Sequence, residues 1–367
     1  MCKENLERAL SLLGPRRKSR SVQVGGLLLG GGGAPIVQSM NNCDSRDVEA
    51  SLAQIHALAA AGCQLTRLAI PDQEAAQALG AIARRSPLPI VADIHFDYRL
   101  ALAALENGAA KIRINPGNIG GAERLRQVVR ACQERQVPIR VGVNSGSISR
   151  ALREAHGGVT VESLCASALE ALRLIEDCGY DQLVVSLKAS DPALCIAAYR
   201  RMAELCDYPL HLGVTEAGTQ ATGSLRSAVA LGALLAEGIG DTLRVSLTAD
   251  PVEEVHAAYT ILKALGLARQ GSTVISCPTC GRTQVDLIAL AARVEEALKS
   301  WAKPLTVAVM GCAVNGPGEA READIGIAGG RGEYVLFVKG KIIAKVPEEQ
   351  AFERLMAEIK ERFGAEV

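Results

Sequence analysis

The chain has 367 residues, too many for one ordinary domain, although an α/β barrel runs past 250 alone. Hydrophobic residues make up 49% and aromatic residues only 3%, so the core is aliphatic and the composition excludes a disordered chain. Lys plus Arg and Asp plus Glu each number 40; the zero net charge excludes a general polyanion binder, so any anion site is a local cluster.

The opening Met1-Cys2-Lys3-Glu4-Asn5 places Glu4 and Glu7 before any apolar stretch, which argues against a signal peptide and for a cytoplasmic protein. The longest uncharged run, 21–43, contains Gly25, Gly26, Gly30 and Pro35 and suits turns and strands rather than a membrane span. Aliphatic runs predict strands at 35–40, 66–70, 89–94, 111–115, 139–144, 183–188, 210–215 and 242–247. Amphipathic stretches predict helices at 47–61, 72–85, 123–135, 163–178, 191–206, 223–237 and 253–264. That alternation fits an α/β fold of (β/α)₈ TIM type. An open doubly wound sheet is the alternative, but Met40-Asn41-Asn42-Cys43 follows the first strand and no G-x-G-x-x-G appears. Near Leu267 the pattern changes. Strands are expected at 271–276, 305–310 and 324–328, a hairpin at 334–346 around Lys339-Gly340-Lys341, and helices at 284–300 and 348–363. The expected organisation is a barrel over 1–267 and a small α+β domain over 268–367, with 266–271 as linker.

Barrel chemistry sits at the C-terminal ends of strands. There the sequence places Gln38, Ser39, Arg67, Asp93, His95, Arg113, Asn115, Arg140, Asn144, Ser186, Lys188, Thr215, Glu216, Arg244 and Ser246. Arg67, Arg113, Arg140, Lys188 and Arg244 converging from different strands would make a concentrated positive field suited to a small, highly anionic ligand. The competing reading pairs some of them with Asp93, Glu216 or other acids inside the barrel.

Cysteine is the other signal. There are 11, an odd number, and Cys63, Cys132, Cys165, Cys178, Cys195 and Cys206 fall in or beside helical stretches as small hydrophobes of a reducing compartment. Cys277-Pro278-Thr279-Cys280 is a C-x-x-C, which alone could be redox-active, structural or metal-binding. Cys312 follows in Met310-Gly311-Cys312-Ala313-Val314-Asn315-Gly316-Pro317-Gly318-Glu319. No other Cys, and no His, lies downstream of Cys280, so a closed zinc site is one ligand short. Three thiolates suit an iron–sulfur cluster whose remaining iron takes a weaker oxygen ligand, with Glu319 the obvious carboxylate. Iron–sulfur, zinc and other roles all remain open on spacing alone.

The chain resembles the 4-hydroxy-3-methylbut-2-en-1-yl diphosphate synthases of the methylerythritol phosphate route to isoprenoids. The match is carried by Ala34-Pro35-Ile36-Val37-Gln38-Ser39-Met40, Ala92-Asp93-Ile94-His95-Phe96 and Lys111-Ile112-Arg113-Ile114-Asn115-Pro116-Gly117-Asn118. It continues in Gly213-Val214-Thr215-Glu216-Ala217-Gly218, in Gly240-Asp241-Thr242-Leu243-Arg244-Val245-Ser246, and through 277–282 and 311–320. Departures are modest: Asn41-Asn42-Cys43-Asp44-Ser45 replaces a threonine-rich turn, and strand two ends Arg67-Leu68-Ala69-Ile70-Pro71 rather than in a valine-rich run. The resemblance implies the two-domain bacterial form. It also implies a 4Fe-4S cluster on Cys277, Cys280 and Cys312 with Glu319 as exchangeable ligand, and reductive ring opening of 2-C-methyl-D-erythritol 2,4-cyclodiphosphate. Electrons would come from reduced flavodoxin or ferredoxin, and a head-to-tail homodimer would bring the partner's cluster domain over each barrel. The substrate-binding set expected with it is Arg67, His95, Arg113, Asn115, Arg140, Asn144, Lys188, Arg244, Ser246, Ser276 and Asn315. Glu216 and Glu319 are the expected catalytic carboxylates. Glu216 would deliver a proton to the departing hydroxyl or, on the plainer reading, pair with Lys188 or Arg244. Two rivals stand beside this: a barrel lyase or aldolase using Lys188 as a Schiff-base amine, and a non-catalytic iron–sulfur carrier.

Overall fold

The structure, a computed structural model, describes residues 13–312 and 320–364. Two compact units part between Ala268 and Arg269.

The larger unit opens with an antiparallel hairpin, β1 (Ser21–Val24) and β2 (Leu27–Gly30), turning at Gly25, whose φ of 56° is left-handed. Its inward Val22, Val24 and Leu29 are fully buried against Ile36, Leu65, Val91 and Val184. Those four lie at the N-terminal ends of barrel strands, so the hairpin is an apolar stopper at the end away from the chemistry.

The barrel then runs β3 (Ile36–Met40), α1 (Val48–Ala60), β4 (Leu65–Ala69), α2 (Gln73–Arg85), β5 (Ile90–Asp93), α3 (Tyr98–Glu106) and β6 (Lys111–Ile114). It continues with α4 (Ala122–Arg135), β7 (Ile139–Asn144), α5 (Arg150–Ala155), α6 (Val161–Glu176), β8 (Leu183–Lys188) and α7 (Pro192–Leu205). The last turns are β9 (His211–Leu212), α8 (Gln220–Ala236), β10 (Thr242–Leu243) and α9 (Pro251–Ala264). All neighbours are parallel, in the order β8-β7-β6-β5-β4-β3-β10-β9, and a parallel bridge between Val185 and Leu210 joins the two ends of the row. This is the eight-stranded parallel barrel expected from the strand–helix rhythm. Asp side chains end several βα loops: Asp47, Asp72, Asp191 and Asp250 accept from the N–H of Ala50, Ala75, Leu194 and Val252. These caps fix where each helix starts and thus how the strand before it ends.

The structure departs from the sequence expectation in detail. The last two strands keep only two paired residues each instead of six. The chain leaves the ladder at Gly213, where the backbone passes so near Arg244 that an added Cβ would stand 3.0 Å from its carbonyl oxygen. The helix α3 was not among the predicted ones. It is a single short Ala-rich segment, begun by Asp97, whose side chain accepts from Arg99 N.

In the smaller unit, β11 (Ser272–Ser276), α10 (Leu287–Ala297), β12 (Leu305–Met310), β13 (Ile325–Gly329), β14 (Glu333–Val338), β15 (Lys341–Pro347) and α11 (Ala351–Phe363) form a five-stranded sheet in chain order. The first three strands are parallel and the last two antiparallel. Val307, Val309 and Ile327 meet Val294, Leu355 and Ile359 of the two helices. Among the described residues, no helix is long and apolar enough to cross a membrane.

Candidate active site

At the C-terminal mouth of the barrel lies a cavity of about 310 Å³, lined by Met40, Arg67, Asp93, His95, Arg113, Arg140, Val143, Asn144, Ser186, Lys188, Thr215, Arg244 and Ser246. The five expected cations all reach it. They come together because register and alternation agree. Arg67 pairs with Val91 on β5, Asp93 with Arg113, Arg113 with Arg140, and Asn144 with Lys188. Side chains two apart on a strand share a face, so these strands send inward residues to the same cavity.

Two glycines make room. An added Cβ on Gly142 would sit 2.6 Å from Arg113 Nε, and one on Gly213 would sit 3.0 Å from Lys188 Nζ. Both occupy inward positions where any side chain would displace a cation.

Asp93, 2% exposed, is the one carboxylate lining the cavity among the described residues. Arg113 Nη1 donates to its Oδ1 at 2.9 Å, Arg67 Nε stands 3.5 Å from Oδ2, and His95 Nε2 stands 3.9 Å from Oδ2. Burial alone would raise its carboxyl, but Arg67, Arg113, Arg140 and His95 outweigh that and hold it down at about 2. Burial, opposed by Asp93, brings Arg67 down to about 10. Burial and the four guanidinium groups of Arg67, Arg244, Arg140 and Arg113 push Lys188 well below the ordinary lysine range. Lys188 has no carboxylate partner among the described residues, so an anionic ligand would meet a site short of negative charge.

Sequence reasoning missed two contributors. Glu254, 2% exposed in the first turn of α9, takes Arg244 Nε at 2.9 Å and Nη2 at 2.8 Å, while also accepting from Ser39 Oγ at 2.9 Å and Leu247 N at 3.0 Å. It lies ten residues past Arg244 in an ordinary amphipathic helix, and nothing in that pattern sets it apart. The Met40 sulfur accepts from Arg67 Nη2 at 2.7 Å and Arg244 Nη1 at 3.5 Å. A neutral acceptor holds two guanidinium groups side by side without cancelling their charge.

Other expected residues fall elsewhere. The Asn115 side chain accepts from Gly117 N at 3.2 Å and caps a short 3₁₀ turn, outside the cavity lining. Glu216 follows Thr215 in the loop after β9, exposed, with a left-handed φ of 52° that a non-glycine residue adopts at a cost of about 1–3 kcal/mol. It has no ion pair with Lys188 or Arg244 among the described contacts; Arg244 is held by Glu254 instead.

In the smaller unit, Ser276 ends β11 and Cys277 follows it. Cys277 Sγ accepts from Gly311 N at 3.2 Å, which places it beside the residue preceding Cys312. Parallel pairing of Ser276 with Val309 sets that proximity. Cys312 is buried and Cys280 exposed. The backbone and side chain of Arg282, with Thr283, lower the Cys280 thiol below its ordinary range. Asn315 and Glu319 lie outside the described residues. Among those described, no three His, Cys, Asp or Glu groups are close enough to share one metal ion.

Known proteins match this chain along nearly its whole length. The family model described as the GcpE TIM-barrel domain matches residues 19–259, and that described as the GcpE protein C-terminal domain matches residues 273–361. A 4-hydroxy-3-methylbut-2-en-1-yl diphosphate synthase (flavodoxin) of Geobacter sulfurreducens is 56% identical over 94% of this chain and 98% of its own. Enzymes of the same name from Anoxybacillus flavithermus and Bacillus subtilis are 55% and 54% identical, each over 94% of this chain and 94% and 91% of their own. With both of its compact units matched in order, the chain belongs to the GcpE family.

Proposed function

We infer that this chain carries out the reaction of those relatives. It is an oxidoreductase of isoprenoid biosynthesis that opens the ring of 2-C-methyl-D-erythritol 2,4-cyclodiphosphate and dehydrates it to 4-hydroxy-3-methylbut-2-en-1-yl diphosphate, with flavodoxin as electron donor. The observation that carries the reading is the cavity in which Arg67, Arg113, Arg140, Lys188 and Arg244 converge around Asp93, the single lining carboxylate among the described residues. Planar guanidinium groups suit bidentate contact with the two phosphates. Asp93 and Glu254 hold Arg113 and Arg244 in place, so little order is lost when substrate arrives. Asn144 and Ser246, also in the lining, offer neutral hydrogen bonds to the sugar hydroxyls.

The donor set of the smaller unit fits a 4Fe-4S cluster on Cys277, Cys280 and Cys312. Cys277 already takes a backbone N–H, and Cys280 is biased toward the thiolate that ligates iron. A cluster gives each thiolate its own iron, so it needs no three ligands gathered on one ion. When bound, the cluster supplies electrons singly and one iron with a replaceable oxygen ligand, for which Glu319 is proposed. Glu216, in the loop beside Thr215 with a left-handed backbone, is proposed as the proton donor to the departing hydroxyl. The reading includes a head-to-tail homodimer in which the cluster of one chain serves the barrel of its partner. Reduced ferredoxin is an alternative donor.

Steady-state kinetics of Arg113→Ala, Arg140→Ala, Lys188→Ala and Arg244→Ala test the anion site. Loss of one charge-assisted contact costs about 1.5–3 kcal/mol, so each variant should lose roughly tenfold to a hundredfold in substrate affinity with its iron content intact. Unchanged KM and kcat in all four would contradict the reading.

A further inference from the structure

Below the cavity, the barrel interior does not become apolar at once. Lys111 and His211 are fully buried, and Gln38 and Arg140 are each 1% exposed. Lys111 lies two residues before Arg113 on β6 and so shares its inward face, one level deeper. Arg140 pairs with Arg113 on the neighbouring strand, which makes Lys111 its diagonal neighbour. His211 pairs with Thr242, and its Nδ1 meets Thr242 Oγ1 at 2.6 Å. The deeper members, Lys111, His211 and Gln38, are not among the residues lining the substrate cavity.

The hydrogen-bond inventory of this layer is unbalanced. Lys111 Nζ, both polar atoms of the Gln38 side chain, Arg140 Nε and Nη1, and His211 Nε2 have no hydrogen-bond partner among the described residues. Buried polar groups are otherwise almost always satisfied, and an exception at this depth calls for a bound water or ion. Donors outnumber acceptors here. The nearest carboxylate, Asp93, is already engaged by Arg113, Arg67 and His95. Burial and the neighbouring guanidinium groups disfavour the charged forms of Lys111 and Arg140, so the charge is kept only with a counter-charge beside it. Water would satisfy the hydrogen bonds but not the charge, whereas an anion satisfies both.

We propose that the barrel interior holds a second anion site, beneath the substrate cavity and sharing Arg140 with it, in which Lys111 and Arg140 bind a small monovalent inorganic anion of the chloride class, with Gln38 and His211 completing its shell. The bound ion fixes Arg140 from below. The guanidinium then faces the substrate with its lower side neutralised, much as Glu254 holds Arg244 from behind. The site stands whether or not the reaction is as proposed.

Crystals of the unmodified protein soaked in sodium bromide, measured at the bromine absorption edge, give the direct test. The expected result is an anomalous peak within hydrogen-bonding reach of Lys111 Nζ and Arg140, which stays when the cyclic diphosphate is bound above. In solution, the thermal midpoint should be a few degrees higher in potassium chloride than in potassium gluconate of equal ionic strength, as for a ligand about tenfold above its Kd. Lys111→Met should erase that difference. A layer filled by water alone, with equal midpoints in the two salts, overturns the proposal. So does a bromide that substrate displaces, which would make it a stand-in for a substrate phosphate.

Discussion

Arg244 reaches the cavity with its guanidinium already gripped by both oxygens of Glu254, at 2.9 and 2.8 Å, and Glu254 is itself buried and fully hydrogen-bonded. The strand end and the helix after it thus form one rigid unit, in which the carboxylate sets where the cation points. Glu254→Gln keeps one hydrogen bond but leaves a partly buried guanidinium without its counter-charge, and removing one member of such a pair costs up to about 3 kcal/mol. Denaturant unfolding should show that loss. The surviving enzyme should show a raised KM, and Arg244→Ala combined with Glu254→Gln should cost less than the sum of the two. Additive effects would mean the residues act independently.

Gly142 offers a gentler probe. Its added Cβ would collide with the end of the Arg113 side chain and not with backbone, so the barrel should accommodate Gly142→Ala while Arg113 moves off its place. The expected outcome is a thermal midpoint near wild type with a KM raised about tenfold, comparable to Arg113→Ala. Full activity would show that Arg113 has slack the geometry does not suggest.

The charge pattern gives two pH dependences of opposite sign. Asp93 is depressed from 3.8 to about 2 in the folded chain, so its contribution to stability is present above pH 4 and is lost as pH falls from there through 2. Unfolding at low salt from pH 6 to pH 3 should show this loss, and Asp93→Asn should flatten it. Lys188 is depressed by burial and by its cationic neighbours, so it gives up its proton readily in the free cavity. A dianion bound beside it restores the charge. Substrate binding should therefore take up protons, measurable as a heat that varies with the ionisation enthalpy of the buffer, and affinity should fall as pH rises. Binding with no proton uptake in Lys188→Met as well as wild type would remove Lys188 from that role.

Much of the cavity was legible because a barrel strand reports its face by alternation. Arg113 and Asn115, two apart, share one side of a strand in the sequence pattern, and Arg113 lines the cavity. Asn115 defeats the same rule because the strand ends at Ile114 and the next residue becomes a turn cap. Glu254 and the Met40 sulfur were invisible, since a helix carboxylate and a strand-end methionine have ordinary explanations until the packing joins them to Arg244 and Arg67. The short strands β9 and β10 were overextended for a related reason. Their sequences stay aliphatic past Leu212 and Leu243, while the backbone, bent at Gly213, does not stay in the ladder.

The cysteines divide into two groups with different expected sensitivities. Cys63 and Cys132 are buried among apolar side chains, and burial raises their thiols to about 11 and about 12, so they are inert packing groups. Cys63→Ser should leave iron content unchanged. Cys277→Ser, Cys280→Ser and Cys312→Ser should each lose or damage the cluster and abolish turnover, read by iron and acid-labile sulfide assays on anaerobically purified protein. For the two carboxylates, Glu319→Gln should alter the resting electron paramagnetic resonance spectrum and Glu216→Gln should not, slowing instead a step after substrate binds. The reverse pattern would exchange their roles.

The central claim is that the cavity and the three thiolates together reduce a cyclic diphosphate. Its most direct test is product formation by the anaerobically purified chain, given 2-C-methyl-D-erythritol 2,4-cyclodiphosphate and a reduced flavodoxin. 4-Hydroxy-3-methylbut-2-en-1-yl diphosphate should accumulate at one molecule per two electrons consumed, and be absent with Cys312→Ser. Protein carrying a full complement of iron and sulfide that binds the cyclic diphosphate but yields no allylic product would contradict it.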